Sequence, residues 1–320
     1  MMQIHLFGAA TPSGEAFRQL AVAAAPDWQV HAYSRHQGGM HRADFRDPDG
    51  FRPSAADVPA VWVSFGPIWL LAPFLEQWSS QNPEHLTSLR GLIACSSSSA
   101  LTKRFATNSF DRELVARLTG AEDQLLTTCS RYAIPCRILR PTLIYGQAGQ
   151  YGDRNLSRLV AVMRRLPLLP LPAHSGLRQP IHASQLAAVA LALAHQLNTT
   201  GTNHRLCADR NLCGPIALGG DTTLSYLAML QALKEALPAG DPGRRCRLLS
   251  IPDRLFYSVF LPLLWYSPKA YEAVLRLGAD LSGFTPSHQL LDIHPQPFPV
   301  SPLACTSSVP TTGIKLTLLS

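Results

Sequence analysis

The sequence predicts an α/β protein in which a doubly wound parallel sheet is followed by a smaller C-terminal α/β lobe. Short apolar runs alternate with longer mixed segments through the first half, as they do where strands alternate with helices. A turn bounded by glycines, GAATPSG at residues 8–14, separates the first apolar run from the first helical segment. After about Gly146 proline becomes frequent, and helical segments stand between short extended pieces. This change predicts the second lobe.

Length and composition agree with this fold class. The chain has 320 residues, more than the ~100–200 of a typical domain. Hydrophobic residues make up 46% and charged residues 15%, which excludes a largely disordered protein. We expect a larger core over 1–165, a smaller lobe over 166–299 that interleaves with the core, and a flexible tail over 300–320, where Pro, Ser and Thr lack any period. The sequence contains no internal repeat.

The apolar runs give the elements in order. The five strands expected in the first half lie at residues 3–7, 28–33, 60–65, 91–96 and 136–139. Helical spacing predicts helices over 14–25, 69–79, 111–129, 184–197 and 223–236. A polar stretch without regular structure is expected from the second strand to about residue 57.

The most apolar run is LFYSVFLPLLWY, residues 255–266, which includes Pro262. A membrane-crossing helix needs ~20 apolar residues, so this run predicts no integral span. A buried helix is the expected structure, and peripheral contact with a membrane is the alternative. The N-terminus enters a strand pattern directly, which predicts a cytoplasmic protein without a cleavable signal.

The charge and the cysteines restrict the function classes. The formal net charge of +7 comes from scattered arginines, which is typical of a solvated surface and disfavours nucleic-acid binding. The seven cysteines include no C-x-x-C pair. They predict buried thiols and no metal site.

The GAATPSG turn has the chemistry of a diphosphate-binding turn. Gly8 permits a tight turn off the strand, Ala10 keeps the backbone open, and Gly14 lets the helix approach the sheet. Thr11 stands where the middle glycine of such turns usually lies, and its hydroxyl can donate to a phosphate oxygen. The amide groups at the helix N-terminus would face the diphosphate. The alternative is an ordinary strand-to-helix turn.

The end of the second predicted strand carries Ser34 and Arg35, where a dinucleotide-binding protein reads the adenosine ribose. An acidic residue here would bind the ribose hydroxyls, whereas an arginine suits a 2′-phosphate. The sequence therefore favours NADP over NAD. Asp44 lies where a carboxylate could accept from the adenine amino group. An ordinary surface arginine and a helix cap are the alternatives for Arg35 and Asp44.

Several stretches between residue 2 and about 299 resemble the extended and atypical branches of the short-chain dehydrogenase/reductase superfamily, of the nucleotide-sugar epimerase/dehydratase type. They are GAATPSG, the acidic segment around Asp44, CSSSS at 95–99, RILRPTLIYG at 137–146, LRQPIHASQLA at 177–187 and LGGDTTLSYLAML at 218–230. The resemblance implies a Rossmann-type sheet with a C-terminal substrate lobe.

The resemblance also implies roles for residues at strand ends. Pro141 and Thr142 would line the nicotinamide, and Tyr145 would begin the substrate side. Phe65 and Gly66 would pack near the ribose and the diphosphate of the cofactor.

The chain departs from the family at the proton-transfer pair. Such enzymes use a tyrosine and a lysine separated by three residues, because the lysine lowers the pKa of the tyrosine. The family positions fall on Leu114 and Leu118, counted back from Glu122, and no Tyr-x-x-x-Lys occurs in the chain. Neither leucine can transfer a proton.

Ser97, Ser98 and Lys103 are the remaining candidates for catalysis. Either serine could hydrogen-bond a substrate or cap the strand end. Lys103 could act as an acid or base in a cleft, hold a phosphate, or be a surface lysine. Two further residues are candidates for substrate binding. His182 in QPIHAS could shape the pocket or be a structural histidine, and Arg178 could reach a substrate phosphate or tie down a loop.

Two functions follow from these observations. The first is an NAD(P)-dependent epimerase/dehydratase-like oxidoreductase with non-standard proton transfer, acting on a nucleotide-sugar-like or other polar carbonyl or hydroxyl substrate. The second is a catalytically silent NAD(P)-binding scaffold, redox sensor or accessory subunit, as in relatives within the atypical branch. A homodimer is a further expectation.

Overall fold

The computed structural model describes residues 2–35, 40–53, 58–199 and 214–304. Strands and helices alternate through its first half: β1 Met2–Phe7, α1 Pro12–Ala24, β2 Trp28–Ser34, β3 His41–Arg42, β4 Ala60–Ser64, α2 Ile68–Gln81, β5 Leu89–Cys95, α3 Ser99–Thr102, α4 Ser109–Arg131 and β6 Cys136–Pro141.

Shorter strands dominate the remainder of the chain. The elements there are β7 Ile144–Tyr145, β8 Gln147–Ala148, β9 Tyr151–Gly152, α5 Asn155–Arg165, β10 Leu168–Pro172, β11 Leu177–Arg178, β12 Ile181–His182, α6 Ala183–Thr199, β13 Ile216–Gly219, β14 Leu224–Ser225, α7 Tyr226–Ala236, β15 Arg247–Ile251, α8 Asp253–Phe260, α9 Leu263–Tyr266, α10 Pro268–Leu275, β16 Thr285–Pro286 and α11 Ser287–Leu291.

The central sheet has eight strands in the order β16-β13-β6-β5-β4-β1-β2-β3. Every neighbouring pair in it is parallel. Read from its β3 edge, the order begins 3-2-1-4-5-6, which is the order of doubly wound sheets that bind dinucleotides. The predicted α/β class and doubly wound parallel sheet are therefore confirmed.

Helices cover both faces of this sheet. On one face α1 and α6 enclose a core that includes Leu6, Phe17 and Val63. On the other face α2 and α4 enclose an aromatic core that includes Phe7, Trp62 and Trp78. Because both faces are covered, the side chains of the middle strands are buried on both faces of the sheet, as in β1 and β4, and the polar His5 of β1 is buried with them.

A third core belongs to the later part of the chain. It contains buried side chains from α5, α7 and the segment that follows α11, among them Val160, Met229 and Leu303. The strands β13 and β16 from this half nevertheless join the central sheet.

The structure corrects three expectations. The polar stretch before residue 57 contains a short strand, β3. The run at residues 255–266 is not a buried helix: it forms α8 and α9, and Trp265 and Tyr266 in it are 93% and 94% exposed. The third correction concerns the expected tail. Residues 300–304 are held in place, since Val300 donates to the Tyr145 hydroxyl at 2.8 Å and Leu303 is buried; residues 305–320 lie outside the described part.

Within the described ranges, none of the helices has the length and apolar character that a membrane crossing requires.

Candidate functional site at the carboxyl edge of the sheet

The GAATPSG turn at residues 8–14, which we call the Gly8 turn, lies between the ends of β1 and β4. The strand order reverses at this point. Gly8 has φ +71°, and a Cβ there would lie 2.8 Å from the backbone of Phe65 and of Gly66. Only glycine fits both this conformation and this close approach. Ligands of open α/β sheets bind in the crevice at such a reversal point.

Helix α1 begins directly after the turn. The Thr11 hydroxyl donates to the Gly8 carbonyl at 2.7 Å and accepts from the Gly14 amide at 3.1 Å. The hydroxyl hydrogen expected to reach a phosphate is thus used inside the turn, and Thr11 acts as the N-cap of α1. Ala10 is exposed, and the amides of Ala10 and Thr11 have no hydrogen-bond acceptor among the described residues. These amides could hold a diphosphate at the positive end of the helix dipole.

The ends of β2 and β3 form the next part of this edge. Ser34 pairs with Arg42 in the sheet register, and the Ala43 amide donates to the Ser34 carbonyl at 3.0 Å. Arg35 and Arg42 are both exposed. The Asp44 carboxylate accepts from the Arg46 amide at 3.0 Å, so it closes a local turn; it is not the helix cap considered as the alternative, because Asp47 caps the short 3-10 helix that follows.

Arg42 and Phe45 were missed by sequence reasoning. Arg42 lies in a two-residue strand that has no recognisable period. The ring of Phe45 lies against Gly66, beside the Gly8 turn. The one signal for Phe45 was its position next to Asp44.

Ser97 and Ser98 follow β5, and Pro141 ends the neighbouring strand β6. The Ser98 amide donates to the Pro141 carbonyl at 2.9 Å, which brings two of the predicted positions together. The Ser97 hydroxyl accepts from the Ser99 amide at 3.1 Å. Thr142 is turned toward the second lobe, because its hydroxyl donates to the Gln179 carbonyl.

Lys103 is the C-cap of α3, the short helix that follows these serines, and takes part in an ionic cluster around the buried carboxylate of Asp111. Its Nζ lies 2.7 Å from Asp111 Oδ1, and Arg276 from α10 binds the other oxygen of Asp111. Burial raises the pKa of Asp111, but hydrogen bonds from Lys103, Asn108 and Arg276 outweigh it and hold that pKa well below its usual range. The cluster joins α3 and α4 to the second lobe.

The face of α4 that carries Leu118 is packed into the aromatic core. Leu118 is buried, and Leu114 packs half-buried against the same core. One turn later, buried Glu122 accepts from Arg140 Nε at 3.0 Å and from the Ser96 hydroxyl. This Glu122–Arg140–Ser96 network anchors the ends of β5 and β6 beneath the candidate site.

Tyr145 and His182 contact each other, with ring centroids 5.1 Å apart, but both are buried in the second lobe. His182 Nδ1 lies 2.7 Å from the Ser184 hydroxyl, and its Nε2 lies 3.2 Å from the Pro302 carbonyl oxygen. Burial lowers the pKa of His182. This is the structural histidine of the alternative interpretation.

Arg178 is also engaged by its own chain. Its guanidinium donates to the carbonyls of Leu177 and Ala279, each at 2.7 Å, and to that of Arg276. It is 7% exposed and ties the segment after α10 to β11. The loop-tying role considered from the sequence is the one its contacts describe.

A shallow cavity of about 470 Å³ lies beside β2, at the edge of the sheet, and not over the Gly8 turn. Its lining includes His31, Tyr33, His41, Arg42 and Arg52. In the described ranges, no group of three or more His, Cys, Asp or Glu side chains is placed to hold a metal ion.

Comparison with known proteins finds solved structures of similar fold but no match to the sequence in the family models or the curated proteins. No family model matches the sequence, and no curated protein matches it. A nucleoside-diphosphate-sugar epimerase from Staphylococcus aureus superposes with a TM-score of 0.57 at 16% identity, over 92% of this chain and 98% of its own.

Two further solved structures have similar scores. A UDP-glucuronic acid 4-epimerase from Bacillus cereus, in complex with NAD, gives a TM-score of 0.57 at 15% identity over 94% of each chain. The triphenylmethane reductase of Citrobacter sp., complexed with NADP(H), gives 0.56 at 15% identity over 92% of this chain and 96% of its own. The chain thus has the fold of the epimerase/dehydratase-like short-chain dehydrogenases/reductases, as its sequence motifs indicate.

Proposed function

We propose that the carboxyl edge of the sheet binds NADP or NAD and that the protein is an epimerase/dehydratase-like oxidoreductase. The observation that carries this proposal is the position of the Gly8 turn at the point where the 3-2-1-4-5-6 strand order reverses. The neighbours solved with NAD and with NADP(H) share this fold and support the same interpretation.

NADP is the favoured cofactor. The exposed guanidinium groups of Arg35 and Arg42 lie at the adjacent ends of β2 and β3, beside the place for the adenosine ribose. Asp44 is the carboxylate nearest to Arg42 in sequence, and it already accepts a hydrogen bond from the Arg46 amide within a local turn. Two arginines without a competing carboxylate suit a 2′-phosphate.

The substrate would be a polar carbonyl or hydroxyl compound, with a nucleotide-linked sugar as the first class to test. When bound, a nicotinamide supplies hydride transfer to or from such a carbon. Ser97 and Ser98 lie beside Pro141, and we assign them the positioning of the substrate oxygen. Because Leu114 and Leu118 cannot move a proton, the proton would pass through a serine hydroxyl, Lys103 or water. Lys103 is the weaker of these candidates, since its ammonium group is held by Asp111.

Nucleotide titration tests the cofactor assignment. We expect NADPH to bind more tightly than NADH, and Arg35→Asp to swing the preference toward NADH by about tenfold or more, since the new carboxylate would repel the 2′-phosphate and accept from the ribose hydroxyls. Arg158→Asp, at an exposed position on α5, is the matched control and should leave both affinities unchanged. Equal affinities in the wild type and in Arg35→Asp would contradict the role of Arg35.

Turnover needs a separate experiment, which follows cofactor oxidation over sugar nucleotides and small carbonyl compounds. Replacing Ser97 and Ser98 together by alanine should lower kcat by about a hundredfold, while Lys103→Ala should act mainly on stability. Activity that survives both changes would remove these site assignments. Tight nucleotide binding without turnover on any substrate would favour the scaffold or accessory-subunit function.

A further inference from the structure

The helices α8 and α9 present an apolar surface that the rest of the described chain leaves uncovered. Its exposed side chains are Leu255, Val259, Leu261, Leu264, Trp265 and Tyr266. The opposite side of α8 is packed, since Phe256 is buried and its ring lies 4.9 Å from that of Phe260. One side of this helix pair is therefore packed against the protein, and the other side exposes apolar side chains.

A second apolar segment is fixed beside it. Phe105, in the segment that leads into α4, is 84% exposed, and Phe110, in the first turn of α4, is 51% exposed. Helix α10, which packs against α8 and α9, holds this segment: Glu272 accepts from the Asn108 amide at 2.9 Å, and Lys269 Nζ lies 3.9 Å from the centre of the Phe110 ring. Helix α10 thus contacts both segments, and we call the surface of the two segments and α10 the α8–α10 face.

The charges on this face are arranged asymmetrically. Residues 99–112 and 253–276 carry six basic and three acidic side chains. Each of the three carboxylates is engaged within the protein: Asp111 with Lys103 and Arg276, Glu272 with Asn108 and Arg276, and Asp253 with His174.

Basic groups stay at the rim of the same face. Arg254 is exposed at the start of α8, and the guanidinium of Arg104 lies 4.7 Å from the centre of the Phe105 ring. Lys269 lies over Phe110. The face therefore offers apolar and aromatic groups with three basic side chains beside them.

Exposed Trp and Tyr beside Leu and Val, with Lys and Arg at the rim, match the boundary between lipid headgroups and acyl chains. Neither helix can cross a bilayer: α8 has eight residues and α9 four. Single-stranded nucleic acid fits less well, because Leu255, Val259, Leu261 and Leu264 have no aromatic ring on which a base could stack. We propose that the α8–α10 face docks on the surface of an anionic phospholipid bilayer.

Co-sedimentation of the full chain with vesicles tests this proposal. We expect binding to vesicles of phosphatidylcholine with phosphatidylserine, weaker binding to phosphatidylcholine alone, and loss of affinity with added salt. Trp265→Ser with Tyr266→Ser should abolish binding. Arg254→Gln with Lys269→Gln should weaken it about 25-fold, since each basic residue near the surface contributes about fivefold.

Matched controls lie on other surfaces. Val22→Ser on α1 removes a 65% exposed apolar side chain, and Arg158→Gln with Arg165→Gln removes two exposed charges on α5. Both variants should bind vesicles as the wild type does. Nucleotide binding should be unchanged in every variant, so failure of this proposal is distinguishable from failure of the proposed function.

Two results would overturn the proposal. One is absence of vesicle binding, or binding that the α8–α10 variants leave intact. The other is a Trp265 that acrylamide cannot quench in the vesicle-free protein, as measured against Trp265→Phe, because the face would then be covered by residues 305–320 or by a second copy of the chain.

Discussion

His5 lies inside the aromatic core with almost no exposure, although histidine is a polar residue in the middle of strand β1. Its Nδ1 lies 3.0 Å from the Tyr33 hydroxyl, and its ring stacks on His31 at 5.3 Å. Burial, followed by the nearby His31, His41 and His85, lowers the pKa of His5 to about 3. The residue is therefore neutral in the folded protein at every pH near neutrality.

This lowered pKa predicts acid sensitivity. The unfolded chain protonates His5 as the pH falls below 6.5, while the folded chain does not until about 3. Above pH 6.5 His5 is neutral in both states, and its contribution to stability is fully present. Below pH 6.5 protonation of the unfolded chain lowers the free energy of unfolding, by about 2 kcal/mol at pH 5. Urea unfolding at pH 7 and pH 5 should show a smaller loss in His5→Phe than in the wild type. His294→Gln, at an exposed histidine, is the control, and an equal loss in His5→Phe and the wild type would contradict the assignment.

Single-residue roles were predictable from the sequence where they depend on a strand end, and not where they depend on distant contacts. Gly8, Gly66 and Pro141 lie at the carboxyl edge because the apolar pattern places their strands. Arg276 contacts Asp111, the partner of Lys103, and Arg178 donates to Ala279; each of these contacts joins residues about a hundred or more apart along the chain. Short-range patterns in the sequence do not indicate contacts between residues so far apart.

At the scale of elements, the short strands β7 and β12 pair where Gly146 and His182 meet. Gly146 has φ +102°, and a Cβ on it would lie 2.0 Å from His182 Nε2. Only glycine at position 146 leaves room for the His182 ring.

Gly146→Ala should therefore lower the free energy of unfolding by about 3 kcal/mol or more, from backbone strain together with overpacking. Combining it with His182→Ala removes the clash, so the double variant should be less destabilised than the sum of the single variants by about 1 kcal/mol or more. Gly120→Ala is the matched control, because nothing lies within 4 Å of its Cβ on α4 and alanine should stabilise that helix. Urea unfolding compares these four variants with the wild type, and strictly additive effects of Gly146→Ala and His182→Ala would contradict the contact.

Element positions in the first half were predicted to within about three residues, since periodicity and capping residues mark them well. The helix expected over 111–129 is Ser109–Arg131, capped by the Asn108 side chain. Burial of the 255–266 run was predicted wrongly, because an apolar run does not reveal whether a partner surface exists. That depends on the fold of the whole chain.

At the scale of the whole molecule, the segment that follows α11 closes the second lobe. Leu303 is 3% exposed in the core of that lobe, and the Gln147 amide donates to the Pro302 carbonyl at 2.9 Å. The end of the described chain is thus part of the packing around Tyr145.

Leu303→Ala should consequently destabilise the protein by about 2–5 kcal/mol, as do other truncations of buried leucines. Ile293→Ala, at a 50% exposed position in the preceding segment, should cost less than about 0.5 kcal/mol. Urea unfolding of the full-length variants compares the two. Equal and small losses would mean that this segment does not contribute to the core.

The strand order of the whole sheet creates the candidate site, because it brings the ends of β1, β4, β5 and β6 to one edge beside β2 and β3. The most direct test is equilibrium titration of the wild-type chain with NADPH and NADH, followed by fluorescence of the nicotinamide. We predict saturable binding of one nucleotide per chain and its loss in Gly8→Val, whose side chain would enter the crevice between β1 and β4. Absence of saturable binding of either nucleotide to the folded wild-type protein would contradict the proposed cofactor site.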